Sequence, residues 1–210
     1  MFRRFAPLAL LWLAIAPAFA QPAPAPAPAP KPVTVRVSLQ TGEGTIVLEL
    51  EKQRAPITTV NFLRYVDQKR LDGATFYRAA KVAEGFGLIQ GGQRNDPKRL
   101  FPPIAHEPTT KTGLSHVDGA ISMARAAPGT ASGDFFITIG DIPSMDADPT
   151  QPGDNQGFAV FGRVVEGMDI VRRILDAPTS PTEGEGAMKG QMLTAPIKIV
   201  TARRVPNSGT

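Results

Sequence analysis

The sequence predicts a mainly β domain: an antiparallel β-barrel accompanied by two helices. About eight short segments rich in apolar and β-favouring residues are separated by turns that contain glycine. Only two segments show the apolar spacing of an amphipathic helix, and they do not alternate with the strands as in a parallel βαβ sheet. Because closing an antiparallel sheet removes its unpaired edges, a barrel is the architecture that this pattern favours.

Residues 1–20 have the pattern of a secretory signal peptide. Arg3 and Arg4 precede an apolar run over 6–15, and an alanine-phenylalanine-alanine sequence at 18–20 matches a cleavage site. The apolar run is too short to span a bilayer comfortably. We therefore expect cleavage, a periplasmic or secreted protein and no stable membrane insertion afterwards. An uncleaved anchor is the alternative.

Residues 21–32 alternate between alanine and proline. Proline at every second position removes backbone donors and favours an extended polyproline conformation. We interpret this tract as a semi-rigid linker, with a docking motif for a partner as the alternative. The predicted folded domain then covers 33–205, and 206–210 form a short C-terminal tail.

The domain begins with a predicted β-hairpin and a helix. Valine and leucine alternate with polar residues over 33–39, and a Thr-Gly-Glu-Gly turn at 41–44 leads into the apolar run 46–50. Pro56 occupies the first helical position, where a missing N–H donor is tolerated. Residues 57–68 follow with amphipathic spacing, which predicts a helix of three turns.

The later elements follow in order. Residues 95–117 include four prolines and lack periodicity, which predicts a loop. The other predicted elements are strands over 119–125, 134–139, 158–164 and 197–205, and a helix over 167–176.

The stretch 72–93 contains the candidate site. Two predicted neighbouring strands lie in it; the first places Arg78 beside Phe76, and the second ends at Gln90. A guanidinium stays charged and has five fixed N–H donors, so an arginine among aromatic residues either has a partner or is directed at a ligand. Gln90 could lie across from it. The alternative is an arginine on an exposed strand face.

The composition excludes several kinds of site. The chain of 210 residues has no cysteine, which excludes disulfides and thiol chemistry. Its net charge of +4 and the absence of a basic run argue against nucleic-acid binding. His106 and His116 lack partners at metal-ligand spacing, the acidic loop 141–157 lacks EF-hand spacing, and no G-x-S-x-G motif is present. We expect no metal and no cofactor.

Five segments in order resemble the cyclophilin family of peptidyl-prolyl cis/trans isomerases, and more narrowly its secreted bacterial members. The segments are AP and NF within 55–62, DGATFYR at 72–78, LIQGG at 88–92, ISMARA to GTASGDFFI within 121–137, and FAVFGRVVEGMDIV at 158–171. The resemblance covers about 33–205. It implies a closed eight-stranded antiparallel β-barrel capped by two α-helices, which agrees with the strand pattern.

The resemblance also implies roles for individual residues. Arg78 would be the catalytic group, and Gln90 would contact the substrate carbonyl and amide. The residues that would contact the peptide are Phe76, Phe86, Leu88, Ala124, Arg125, Ala126, Asp134, Phe136 and Phe158. Among them, Leu88 and Phe136 would be walls of the proline pocket, and 124–126 the strand edge that binds the peptide backbone.

The chain departs from the family pattern at several of these positions. Because the link from Arg78 to Gln90 is longer than in eukaryotic members, either Phe86 or Gly87 would hold the pocket position usually filled by phenylalanine. Arg125 and Asp134 replace the usual asparagine and glutamine, and an ion pair between them is conceivable. Phe158 replaces a histidine that often lines the pocket.

The resemblance implies a monomeric isomerase acting on proline-containing segments of unfolded or exported proteins. The altered positions leave an alternative function open: a chaperone that binds proline-containing peptides without catalysis. The presence of both Arg78 and Gln90 favours the enzyme, because these are the groups that would contact the transition state.

Overall fold

A computed structural model describes residues 33–94 and 96–206. The strands are β1 (Val35–Thr41), β2 (Gly44–Leu50), β3 (Thr75–Ala83), β4 (Phe86–Gly92), β5 (Ala120–Met123), β6 (Phe135–Ile139), β7 (Ala159–Glu166), β8 (Thr179–Ser180) and β9 (Met192–Val205). The helices are α1 (Pro56–Asp67), α2 (Thr109–Thr112) and α3 (Met168–Leu175). The predicted signal peptide, the Ala-Pro tract and 207–210 lie outside the described residues.

Eight strands form a closed antiparallel barrel, as predicted. Their order around it is β1-β2-β7-β5-β6-β4-β3-β9, and a second pairing of β1 with β9 closes the ring. β8 lies outside the ring, where it pairs with β9. The predicted first hairpin is confirmed: β1 pairs with β2 from Val35 opposite Leu50 to Thr41 opposite Gly44.

Alternate residues of each strand point inward, and their side chains fill the barrel interior. In β1 and β2 the fully buried apolar side chains are Val37, Leu39, Ile46, Leu48 and Leu50. Helices α1 and α3 contribute to the same core, α1 chiefly through Phe62, Leu63 and Val66. In the described part of the chain, none of the helices combines the length and the apolar character that crossing a bilayer requires.

Helix α1 begins at Pro56, as the sequence predicts, but it has no local side-chain cap. The buried carboxylate of Glu107 replaces that cap: it accepts hydrogen bonds from the backbone N–H groups of Ile57 and Thr58, at 3.2 and 2.7 Å. Farther along α1, Asn61 donates to the carbonyl of Ser132 at 2.7 Å. The Glu107 bonds hold the loop before α2 against helix α1, and the Asn61 bond holds the segment before β6 against it.

The structure differs from the prediction at three places. The predicted loop 95–117 contains the four-residue helix α2. The two-residue strand β8 is not among the predicted strands. Strand β9 begins at Met192 rather than near 197. Pro196 lies in the stretch of β9 where its pairing with β3 shifts register, and a proline inside an apolar run conceals a strand from sequence patterns.

Candidate active site

The candidate site lies on the outer face of β3, β4 and β6. Along β6, Phe135, Ile137 and Ile139 belong to the barrel core, so the intervening Phe136 lies on the opposite face. Phe136 is directly opposite Gln90 of β4 in the ladder. Strand alternation therefore places an aromatic ring and an amide side by side outside the barrel.

A β-bulge places Arg78 opposite Gln90. In the β3–β4 ladder, Phe76 pairs with Gly91 and Arg78 pairs with Gln90, so Tyr77 is an extra residue. Both side chains at the bulge reach the same amide. Arg78 Nη1 donates to Gln90 Oε1 at 2.8 Å, and Gln90 Nε2 donates to the Tyr77 hydroxyl at 2.7 Å.

The guanidinium of Arg78 is held by amide oxygens. Its Nε and Nη2 donate to Gln191 Oε1 at 2.9 and 2.7 Å, in addition to the bond to Gln90. Among residues 33–94 and 96–206, no carboxylate lies within ion-pair distance of Arg78. Burial lowers the pKa of Arg78 from its usual value, but the group remains charged at physiological pH.

A short hydrogen-bond chain fixes the orientation of Gln90. The Tyr77 hydroxyl donates to Asp134 Oδ2 at 3.4 Å, and Asp134 Oδ1 accepts from the backbone N–H of Arg94 at 2.9 Å. Burial, with Asp134 adding to it, raises the pKa of Tyr77. Its phenol therefore stays neutral and accepts the amide N–H of Gln90, which leaves Gln90 Oε1 for Arg78.

A cavity of about 530 Å³ opens beside Arg78. Nine of the residues proposed from the sequence line it: Arg78, Leu88, Gln90, Ala124, Arg125, Ala126, Asp134, Phe136 and Phe158. Sequence reasoning missed four further lining residues, which are Thr130, Ser132, Met145 and Met188. The rings of Phe136 and Phe158 meet edge to face, with centroids 5.4 Å apart, and give the cavity an aromatic wall.

Two expected contact residues lie elsewhere. Phe76 is fully buried in the barrel core, edge to face with Phe135 at 5.8 Å, so it cannot touch a peptide outside the barrel. Phe86 does not line the cavity; its ring lies against Gly140 at the other end of β4. These positions correct the expectation for both phenylalanines: the extra residue at Tyr77 breaks the alternation of β3 and turns Phe76 into the core, and Phe86 is the first residue of β4, away from Gln90.

Arg125 forms its ion pair with Asp154, not with Asp134 as the sequence made conceivable. It also donates to the carbonyl of Gly157, and its guanidinium lies over the Phe158 ring at 5.0 Å. The side chain thus ties the loop before β7 to the edge of the cavity. The backbone N–H of Ala124 donates to the carbonyl of Asp134, the residue before β6, at 3.0 Å, so this N–H already has a partner.

His116 lies directly behind the cavity wall, a position that no local sequence pattern indicates. Its fully buried ring stacks on Phe136 at 5.8 Å. Nδ1–H donates to Asp146, and Nε2 accepts from the hydroxyl of Ser122, 3.0 Å away. Burial lowers the pKa of His116, opposed by the nearby Asp146 carboxylate. The neutral imidazole therefore acts as a packing and hydrogen-bonding support for Phe136.

Comparisons with a family model and with known proteins agree on one family. The family model described as "Cyclophilin type peptidyl-prolyl cis-trans isomerase/CLD" matches residues 36–204. A peptidyl-prolyl cis-trans isomerase of Acinetobacter baylyi is 35% identical over 168 residues, which cover 78% of this chain and 82% of that protein. Peptidyl-prolyl cis-trans isomerase B of Escherichia coli is 34% identical, over 66% of this chain and 83% of the relative.

Solved structures agree on the fold. A cyclophilin-type isomerase of Cryptosporidium parvum superposes with a TM-score of 0.62 at 21% identity, covering 83% of this chain and 99% of the other. The same protein in the presence of the dipeptide Ala-Pro gives a TM-score of 0.60 at 22% identity, covering 82% and 99%. From the extent of the family match and the identity to its bacterial members, this chain belongs to the cyclophilin-type peptidyl-prolyl cis-trans isomerase family.

Proposed function

We propose that this protein accelerates the cis/trans isomerisation of X-Pro bonds, and that Arg78 stabilises the twisted amide. One observation carries this proposal. A permanent cation held by two glutamine oxygens lies at the edge of a cavity with an aromatic wall, large enough for a proline ring and its neighbours.

The chemistry requires no covalent step. Amide resonance sets a rotation barrier of about 20 kcal/mol. As the bond twists, resonance is lost and the proline nitrogen regains its lone pair. An N–H of Arg78 directed at that nitrogen donates a hydrogen bond that strengthens only in the twisted state, which lowers the barrier without tightening binding of the ground state.

Arg78 alone does not account for a large acceleration. A rate increase of about 10⁵ corresponds to roughly 7 kcal/mol. One fixed donor in a desolvated site contributes about 2–4 kcal/mol, by analogy with oxyanion holes. The remainder must come from holding the peptide in the twisted geometry. Leu88, Phe136 and Phe158 would hold the proline ring, and Gln90 would bind the adjoining backbone.

We further propose that the protein acts as a monomer on exported proteins in the periplasm or outside the cell. The signal-like pattern of residues 1–20 supports this location. N-terminal sequencing of the protein recovered from the native cell envelope should give a chain that begins at Gln21. Recovery of the intact N-terminus from the membrane fraction would favour the anchor instead.

The activity is tested with a short X-Pro peptide in a protease-free isomerisation assay. We expect turnover that saturates with peptide concentration and needs no added metal or cofactor. The rival chaperone function predicts suppression of aggregation of an unfolded protein with no turnover of the peptide.

A further inference from the structure

Gln191 makes more hydrogen bonds to Arg78 than Gln90 does. Its Oε1 accepts from both Nε and Nη2 of the guanidinium, at 2.9 and 2.7 Å, whereas Gln90 accepts one bond from Nη1. Three of the five guanidinium N–H groups are therefore bound to glutamine oxygens on two sides. One N–H on each terminal nitrogen is left outside these bonds.

Gln191 is itself fixed by the backbone. Its carbonyl accepts the N–H of Ala79, the residue after Arg78, at 2.9 Å. Its own N–H donates to the carbonyl of Met188 at 3.1 Å, and Met188 lines the cavity. The following residue, Met192, is opposite Arg78 in the β3–β9 ladder. The Gln191 side chain thus starts from a rigid position beside the cation.

We propose that Gln191 is a positioning residue for the isomerase reaction: it fixes the plane of the Arg78 guanidinium before the substrate binds. The proposal rests on the function proposed for Arg78. An arginine side chain has several rotatable bonds, and a donor that must first be ordered contributes less to the transition state than one already in place. Because Gln191 accepts hydrogen bonds from both Nε and Nη2, the guanidinium is already ordered before the substrate binds.

The test compares three variants with the wild type in the peptide assay. Gln191→Leu keeps the side-chain size but removes the acceptor, and we expect kcat to fall about tenfold with KM changed less than about twofold. Gln191→Glu retains an acceptor for both bonds, so it should keep the Arg78 Nε–H as protected from exchange with water as in the wild type, although its carboxylate pairs with the guanidinium and lowers kcat. Gln68→Leu is the matched control, because Gln68 is exposed at the end of α1; it should leave both constants unchanged.

Two further readouts separate positioning from general damage. The ¹⁵N-edited NMR signal of the Arg78 Nε–H, identified by its loss in Arg78→Ala, should shift and exchange faster with water in Gln191→Leu. In the Arg78→Ala background, Gln191→Leu should change kcat by less than about twofold, because the two residues act as one unit.

The outcomes also distinguish this inference from the proposed function. If Arg78→Ala loses turnover while Gln191→Leu keeps the wild-type kcat, the positioning role is refuted and the role of Arg78 stands. The positioning role is also refuted if the Arg78 Nε–H of Gln191→Glu exchanges with water as fast as that of Gln191→Leu, or if the losses in Arg78→Ala and Gln191→Leu are additive. If Arg78→Ala turns over like the wild type, the proposed function itself fails.

Discussion

At the scale of residues, the partners of Arg78 determine what it can do. A carboxylate would pair with the guanidinium and cancel its charge, whereas the oxygens of Gln90 and Gln191 fix it and leave the charge uncompensated. Burial beside the cavity weakens the screening of that charge by water. The same side chain therefore combines a fixed position with a strong local field, the two properties that electrostatic catalysis requires.

His116 supplies a prediction about stability and pH. Burial lowers its pKa in the folded state below the usual 6.5, so the unfolded chain binds the proton more tightly than the folded one. Its contribution to stability is therefore complete above about pH 6.5 and is lost as the pH falls through the folded pKa. The free energy of unfolding, from urea titrations between pH 8 and 5, should decrease over the lower half of this range.

Two matched histidine variants show whether His116 causes this decrease in the free energy of unfolding. His116→Gln should flatten it, since no imidazole then titrates behind Phe136, while His106→Gln, at a partly exposed histidine that bonds the Gln156 carbonyl, should keep the wild-type slope. A pH dependence of unfolding that is unchanged in His116→Gln would show that the buried imidazole is not its source.

At the scale of elements, close approach between strands makes some positions intolerant of any side chain. A Cβ at Gly162 in β7 would lie 2.4 Å from the carbonyl oxygen of Glu49 and 3.0 Å from the Cα of Leu50, both backbone atoms of β2. We expect Gly162→Ala to destabilise the fold by roughly 1–3 kcal/mol, measured by chemical denaturation, because the strands must separate to accept the methyl group.

Gly42, in the turn between β1 and β2, is the control for that substitution. A Cβ there would meet no atom within 4 Å, and its φ is not positive. Gly42→Ala should leave stability unchanged or raise it slightly, through the lower entropy of the unfolded chain. Equal destabilisation by both substitutions would contradict the close-approach explanation.

Elements that have a local sequence pattern could be predicted, whereas features that depend on contacts between distant residues could not. The hairpin β1–β2 and helix α1 follow from alternation, a glycine turn and Pro56 at the first helical position. The pairing of Arg78 with Gln90 follows from two adjacent strands. In contrast, Gln191 lies 113 residues from Arg78 in a glycine-containing loop, so no local pattern indicates their contact.

Whether a single side chain points into or out of the barrel also depends on local backbone geometry that the sequence pattern does not contain. Phe76 and Arg78 are two residues apart, which in a regular strand would place both on one face. The extra residue at Tyr77 breaks that alternation, so Phe76 enters the core while Arg78 reaches the cavity. A β-bulge has no distinctive sequence signature here, which is why the sequence places Phe76 at the site and the structure does not.

At the scale of the whole molecule, the groups around the cavity keep one charge state over a wide pH range. Arg78 stays protonated, the raised pKa of Tyr77 keeps its phenol neutral, and the lowered pKa of His116 keeps its imidazole neutral. We expect kcat/KM for an X-Pro peptide to vary less than about twofold between pH 6 and 9. A bell-shaped profile in the protease-free assay would indicate acid–base catalysis instead.

The most direct test of the account is the turnover of Arg78→Ala. Near-ultraviolet circular dichroism should first show a native fold, because Arg78 lies on the outer face and contributes nothing to the barrel core. The rate of X-Pro isomerisation should then fall by at least about 100-fold, the loss expected when a fixed donor to the transition state is removed. A folded Arg78→Ala protein that isomerises the peptide at a near-wild-type rate would contradict it.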